Sequence, residues 1–160
     1  MPNRYCRAMR WLLTPFLPVF LLAATVSAAP ATGRVIKVLP HYLDLKGRHT
    51  LSPSLYDRDA YQAQLRQHPE QRSGMRFDIH WKAKGATQPK LRVELRGVPK
   101  EKSVGQRVLE QTVKPKGWFG TWSALKLTGA EYKEVGEVTA WRVTLWDGEQ
   151  MLGEQKSFLW

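Results

Sequence analysis

The stretch MRFDIHWK (75–82) sets Met75, Phe77, Ile79 and Trp81 on one side of an extended chain. Arg76, Asp78, His80 and Lys82 fall on the other. A strict period of two is the pattern of a β-strand with one buried and one wet face, and a helix would scatter these residues around its circumference. KLRVELRG (90–97) repeats it, with Leu91, Val93 and Leu95 against Arg92, Glu94 and Arg96. In VTAWRVTLW (138–146), Trp141, Val143 and Leu145 form one face. Further strands are expected over 34–39, 107–114, 121–127 and 151–159, about seven in all, separated by turn-rich segments such as KGATQP, KPKGWFG and WDGEQ. Asp147-Gly148 marks a hairpin whose loop holds either two or four residues. About seven short strands with one wet face each predict a mainly β, antiparallel, seven-stranded sandwich.

Residues 40–74 break the pattern. They form a connection too long to be bare loop, and SPSLYDRDAYQAQLRQHP within it reads as a short helix over 52–68. Ser52 is the expected cap, with Pro53 at the first helical position. Tyr61 and Leu65 share a face, and His68-Pro69 ends the helix. Such a helix, inserted between the first two strands, would cover an open end or edge of the sandwich.

The first 29 residues read as a secretory signal. Arg4, Arg7 and Arg10 precede the apolar run 11–26, and small residues at Val26/Ala28 or Ser27/Ala29 suit cleavage near Ala28 or Ala29. The run has 16 residues broken by Pro15 and Pro18, short of the roughly 20 a membrane span needs. The expected product is a secreted or periplasmic domain, residues 30–160, with no membrane span after cleavage. Cys6 is the only cysteine and precedes the apolar run, unlike a lipid-attachment cysteine. No intrachain disulfide can form, so core packing must hold the fold.

Lys and Arg number 25 against 14 Asp and Glu. Without the three signal arginines, 22 basic and 14 acidic residues leave a net charge of +8. Outside the cytoplasm such a surface faces anionic glycans, cell-wall polymers or lipid headgroups, and no nucleic acid is expected as partner. The same charge also serves solubility alone.

MRFDIHW…KLRVELRG resembles the second and third strands of fibronectin type III and related immunoglobulin-like domains. The resemblance implies that Trp81 is the core tryptophan, with Leu91, Val93 and Leu95 across from it. LKLTGAEYKEVGEVTAWRVTL is similar to the family's crossover into its penultimate strand, which carries a tyrosine corner. The tyrosine here, Tyr132, stands six residues before Val138 instead of at the strand start. The resemblance covers roughly 75–160 and excludes 40–74. The whole chain is similar to signal-bearing bacterial proteins. A sandwich of this kind implies no particular activity.

No G-x-S-x-G, H-E-x-x-H or Gly-rich phosphate loop is present, and no cofactor is expected. A hairpin around Lys46-Gly47 would bring His41, His49 and Asp44 together, with Asp57 and Asp59 nearby, although this spacing matches no known metal-ligand pattern. Ser52 and Ser54 suit capping better than nucleophilic catalysis. Two binding candidates remain. Arg76 and Lys82 on one strand with Arg92 and Arg96 on the next would form a continuous basic stripe. In PKGWFGTWS (115–123), Trp118, Phe119 and Trp122 beside Lys116 are either an aromatic platform or a packed turn. The leading expectation is an exported, non-catalytic envelope domain that contacts an anionic or neutral polysaccharide or a partner protein. The alternatives are an assembly protein pairing through an edge strand and a small metal-dependent enzyme.

Overall fold

The computed structural model describes residues 30–98, 105–117 and 119–160, so the expected signal segment and Trp118 lie outside the described residues. Seven strands are present: β1 (Thr32–Asp44), β2 (Arg72–Lys84), β3 (Pro89–Val98), β4 (Gly105–Thr112), β5 (Thr121–Thr128), β6 (Glu137–Asp147) and β7 (Gln150–Lys156). Helix α1 (Leu55–Gln67) and a single 3-10 turn (Pro69–Gln71) lie between β1 and β2, and α2 (Gly129–Val135) joins β5 to β6. The strands form two antiparallel sheets, of order β1-β2-β5 and β4-β3-β6-β7.

The period-two residues of β2 fill the centre. Phe77, Ile79 and Trp81 are fully buried and Met75 nearly so. They meet Leu91, Val93 and Leu95 of β3, Val143 and Leu145 of β6, and Leu125 and Leu127 of β5 in one cluster. Each such side chain gains about 1.5–3 kcal/mol on leaving water. The one polar atom of Trp81, Nε1, donates to Ser123 Oγ at 2.9 Å, so its burial leaves no donor unpaired. Trp141 is only half-buried against this cluster.

The two long sides of the molecule differ. At β1 and β7 the sheets close on each other: a Cβ on Gly33 would meet Leu145 and Leu152 side chains at 3.0–3.1 Å, and one on Gly153 would meet the Arg34 backbone at 2.9 Å. Glycine at 153 permits this approach, and glycine at 33 avoids a tight contact. On the opposite side β4 and β5 are free edges flanking a cleft of about 420 Å³.

Helix α1 is fixed by two side chains. The buried Gln62 amide accepts from Tyr42 N–H (2.8 Å) and donates to the carbonyls of Tyr42 (2.9 Å) and His49 (2.8 Å). It thereby occupies the free edge of β1 as a strand would. Arg72 opens β2 with its side chain 3% exposed. Its guanidinium donates to the Leu65 and Arg66 carbonyls at the end of α1 and to Glu137, and it lies 4.0 Å over the Tyr42 ring. Tyr42 in turn donates to Glu137 at 2.7 Å, and burial together with that carboxylate pushes its hydroxyl up to about 12.

Several boundaries differ from expectation. β1 runs on to Asp44 and β2 starts at Arg72, so the connection is 45–71 instead of 40–74. Ser54, not Ser52, caps α1, its Oγ accepting from Asp57 N–H at 3.4 Å. Ser52 Oγ is already engaged by Ser54 N–H, so Pro53 precedes the cap. The last strand ends at Lys156 instead of continuing to 159. There Ser157 bonds Trp141 through backbone and side chain, and the chain turns. The Asp147-Gly148 hairpin has a two-residue loop, Gly148-Glu149, because Asp147 still pairs with Gln150.

Trp81→Ala is expected to lower unfolding free energy by about 3–5 kcal/mol. Trp122→Ala, at an exposed position, should cost under about 1 kcal/mol. Arg72→Met, which uncaps α1 and leaves Glu137 with Tyr42 alone, should cost about 3 kcal/mol. Urea unfolding followed by far-UV circular dichroism checks all three.

Candidate ligand-binding face

The outward residues of β2 build the centre of one face. Cross-strand register sets Lys37, His80 and Trp122 in one row, and Arg34 beside Lys82 in the next. Beyond Leu39, Asp78 and Ala124 lies the row His41, Arg76 and Lys126. Trp122 is 54% exposed and stacks on His80, with ring centroids 4.8 Å apart and planes 10° off parallel. Gly120 makes this possible. Its φ is +105°, and a Cβ there would meet His80 Nε2 at 2.6 Å.

The only acid in these rows is Asp78. Arg76 holds it at 2.7 Å and His41 lies 3.7 Å away. Arg34, Lys37, Lys82 and Lys126 form no ion pair with another described residue. Arg34 directly opposes Lys82, and Arg76 directly opposes Lys126. Like charges directly opposite each other destabilise a sheet.

The other outer face sets most of its charges against opposite ones, and its one opposed like pair is Arg142 with Lys156. Arg92 opposes Glu110, and Glu94 opposes Arg142. Arg92 Nε lies 3.4 Å from both Glu94 and Glu110, and Arg142 reaches Glu94 at 2.5 Å. Trp160 lies on this face beneath Arg96 and Arg142, at 4.1 and 5.0 Å, so it covers a sheet surface and not an edge.

This geometry corrects the expected basic stripe. Arg76 and Lys82 belong to β2, whereas Arg92 and Arg96 belong to β3, and these strands lie in different sheets. Two consecutive alternating strands were expected to be neighbours, but the chain crosses between sheets at 85–88. The aromatic platform also divides. Phe119 is 90% exposed in the loop, and Lys116 is exposed there too. Thr121 Oγ1 accepts from Lys116 N–H at 2.7 Å and pins that loop. Trp122 instead joins the face of β2. Its direction is legible by parity, since Leu125 and Leu127 point inward and Trp122, Ala124 and Lys126 must then point outward. The same parity marks Lys126, whereas Arg34 and Lys37 straddle a bulge between Val35 and Lys37 that breaks the count.

At the end of this face nearest α1, the turn at 44–48 brings His41 and His49 to 5.4 Å between ring centroids. Asp44 does not join them. It accepts from the N–H groups of Lys46 and Arg48, the Arg48 guanidinium and the Tyr61 hydroxyl. Burial pushes its carboxyl up, but these donors outweigh it and hold the group down at about 2. Among the described residues no three His, Cys, Asp or Glu side chains are grouped to hold a metal ion.

Comparison with family models, with curated proteins and with solved structures gives no match for this chain. No helix among the described residues is long and apolar enough to cross a membrane.

Burial lowers the basicity of both His41 and His49. Asp78 opposes this, while Arg58 and Arg76 reinforce it. The unfolded chain therefore binds more protons than the folded one below the ordinary histidine value of 6.5. The stability present above that pH is lost as pH falls through the lowered folded values. Urea midpoints should drop between roughly pH 7 and pH 5, and His41→Gln should flatten that slope whatever it does to stability at neutral pH.

Proposed function

We propose that this protein is an exported, non-catalytic binding domain whose β1-β2-β5 face takes an anionic polysaccharide of the bacterial envelope. The observation that carries this reading is the contrast between the two outer faces. One satisfies Arg92 and Arg142 with Glu110 and Glu94 across strands and holds a single opposed like pair, Arg142 with Lys156. The other sets Arg34 against Lys82 and Arg76 against Lys126 around an exposed Trp122. A local rule broken without internal compensation is characteristic of a functional surface. A polyanion supplies the missing counter-charges, and the open ring offers an apolar surface for a sugar, worth about 0.5–1.5 kcal/mol by analogy with ring stacking. The N-terminal signal pattern supports export and disfavours nucleic acid as the polyanion.

We also read the fold as immunoglobulin-like, of the fibronectin type III kind. In support, strands one, two and five share a sheet, as A, B and E do in that class, and strands three, six and seven share the other, as C, F and G do. The fourth strand lies beside the third, as C′ lies beside C in variable-type domains.

The free edges of β4 and β5 favour a second reading, in which a partner protein adds a strand there. Affinity chromatography separates the two. On immobilised polygalacturonate or heparin, the protein should be retained at low salt and released as salt screens its charges. The triple variant Lys37→Gln, Lys82→Gln, Lys126→Gln should elute at clearly lower salt, and Arg92→Gln with Arg96→Gln should not shift elution. Equal shifts from both sets would refute a face-specific site. Loss of a stoichiometric envelope protein on placing proline within β5 would favour strand addition.

A further inference from the structure

Beyond the Lys82 row, the face ends in a cleft of about 530 Å³. Its floor is the start of β1 (Thr32, Gly33, Arg34) and the end of β2 (Lys82, Ala83, Lys84), and the wall is the loop residues Pro115, Gly117, Gly120 and Thr121. Its size falls within the range of small-molecule sites, about 300–1,000 Å³. Three of the described lining residues are cationic and none is acidic. Arg34 and Lys82 are directly opposed in register, as are Thr32 and Lys84, so the three cations come from adjacent positions on two strands. None of the three forms an ion pair with another described residue. The loop wall is held in place by Thr121, whose hydroxyl also donates to the Lys116 carbonyl at 3.2 Å. Glycine, alanine and proline keep the remaining walls small and largely apolar.

We propose that this cleft is a specific subsite for one acidic sugar unit. Its carboxylate or phosphate would lie against Arg34, Lys82 and Lys84, and its ring against Pro115, Gly117 and Gly120. An arginine guanidinium matches either oxyanion through two parallel hydrogen bonds. The small apolar walls accommodate a ring that a bare ion would leave unfilled. The inference deepens the polysaccharide reading by placing recognition of a single charged unit at one end of the face.

Titration of the protein followed by two-dimensional amide NMR tests it, with glucuronate, glucose 6-phosphate, glucose and inorganic phosphate as probes. Glucuronate, glucose 6-phosphate or both should give saturable shifts confined to 32–34, 82–84 and 115–121, with a dissociation constant on the order of 1 mM. The two acidic probes show which oxyanion is preferred. Arg34→Gln and Lys84→Gln should each weaken this binding roughly tenfold, while Arg92→Gln, on the other sheet, should leave it unchanged. The amide spectra of the variants verify their folding, and Lys84→Gln lies at a strand end where the fold tolerates change. Equal binding of glucose would overturn the anionic part of the proposal, and equal binding of inorganic phosphate would overturn the sugar part. Polymer retention without any response to the acidic sugars would overturn the subsite and leave the polysaccharide face standing. A response to the sugars with no polymer retention would uphold the subsite and overturn the extended face.

Discussion

The fold depends on the burial of one row of side chains. Met75, Phe77, Ile79 and Trp81 of β2 sit between two sheets that no disulfide can link, because the chain has a single cysteine. β2 is the central strand of its sheet, so its register fixes β1 and β5 on either side. A one-residue slip would send the whole row to solvent. The constraint that secures the core therefore also dictates the outer surface. With the odd-numbered residues of β2 committed inward, Arg76, Asp78, His80 and Lys82 must be displayed. Core and candidate site are two sides of one strand.

That coupling explains what the sequence made legible. The alternation in 75–82 and 90–97 identifies strands and inward residues, because burial on one face imposes period two directly on the residues. Sheet membership has no comparable signature. β2 and β3 are consecutive and similarly patterned, yet they belong to opposite layers, and nothing in MRFDIHWK or KLRVELRG distinguishes crossing over from pairing. Pro40 reads as the end of a strand, but β1 continues through it because an edge strand tolerates a residue with no N–H. The cap of α1 was misplaced by two residues because SPS offers two serines, and only the competing bond to Ser52 decides between them. The direction of Trp122 lay within reach of parity counted back from Leu127 and Leu125.

Charge gives the molecule its polarity. The described cations are not spread evenly against the acids. Glu94 and Glu110 pair with Lys90, Arg92 and Arg142 on the β4-β3-β6-β7 sheet, Trp160 lies against Arg96, and Lys156 faces Arg142. Exposed pairs of this kind add little stability, about 0–1 kcal/mol each, so their main effect is to lower the positive charge that face offers a polyanion. The β1-β2-β5 face has one acid, already held between Arg76 and His41. Of the two described sheet faces, the one that carries the exposed aromatic stack thus has the larger unpaired positive charge.

The two irregular segments give that face its ends. At one end α1 is held by Gln62 on the free edge of β1 and by Arg72 at its last turn, and Gln62 also bonds the His49 carbonyl, which keeps His49 beside His41. At the other end Gly120 packs closely against His80, and Thr121 ties Lys116 down beside the cleft that Lys82 and Lys84 line. A flat sheet surface binds an extended chain without defined register. A surface closed by a helix at one end and a cationic cleft at the other has a direction and a length. Helix α1, which lies outside the sandwich pattern, thus bounds the candidate site at one end, and the loop leading into β5 bounds it at the other mainly through its glycines and Thr121.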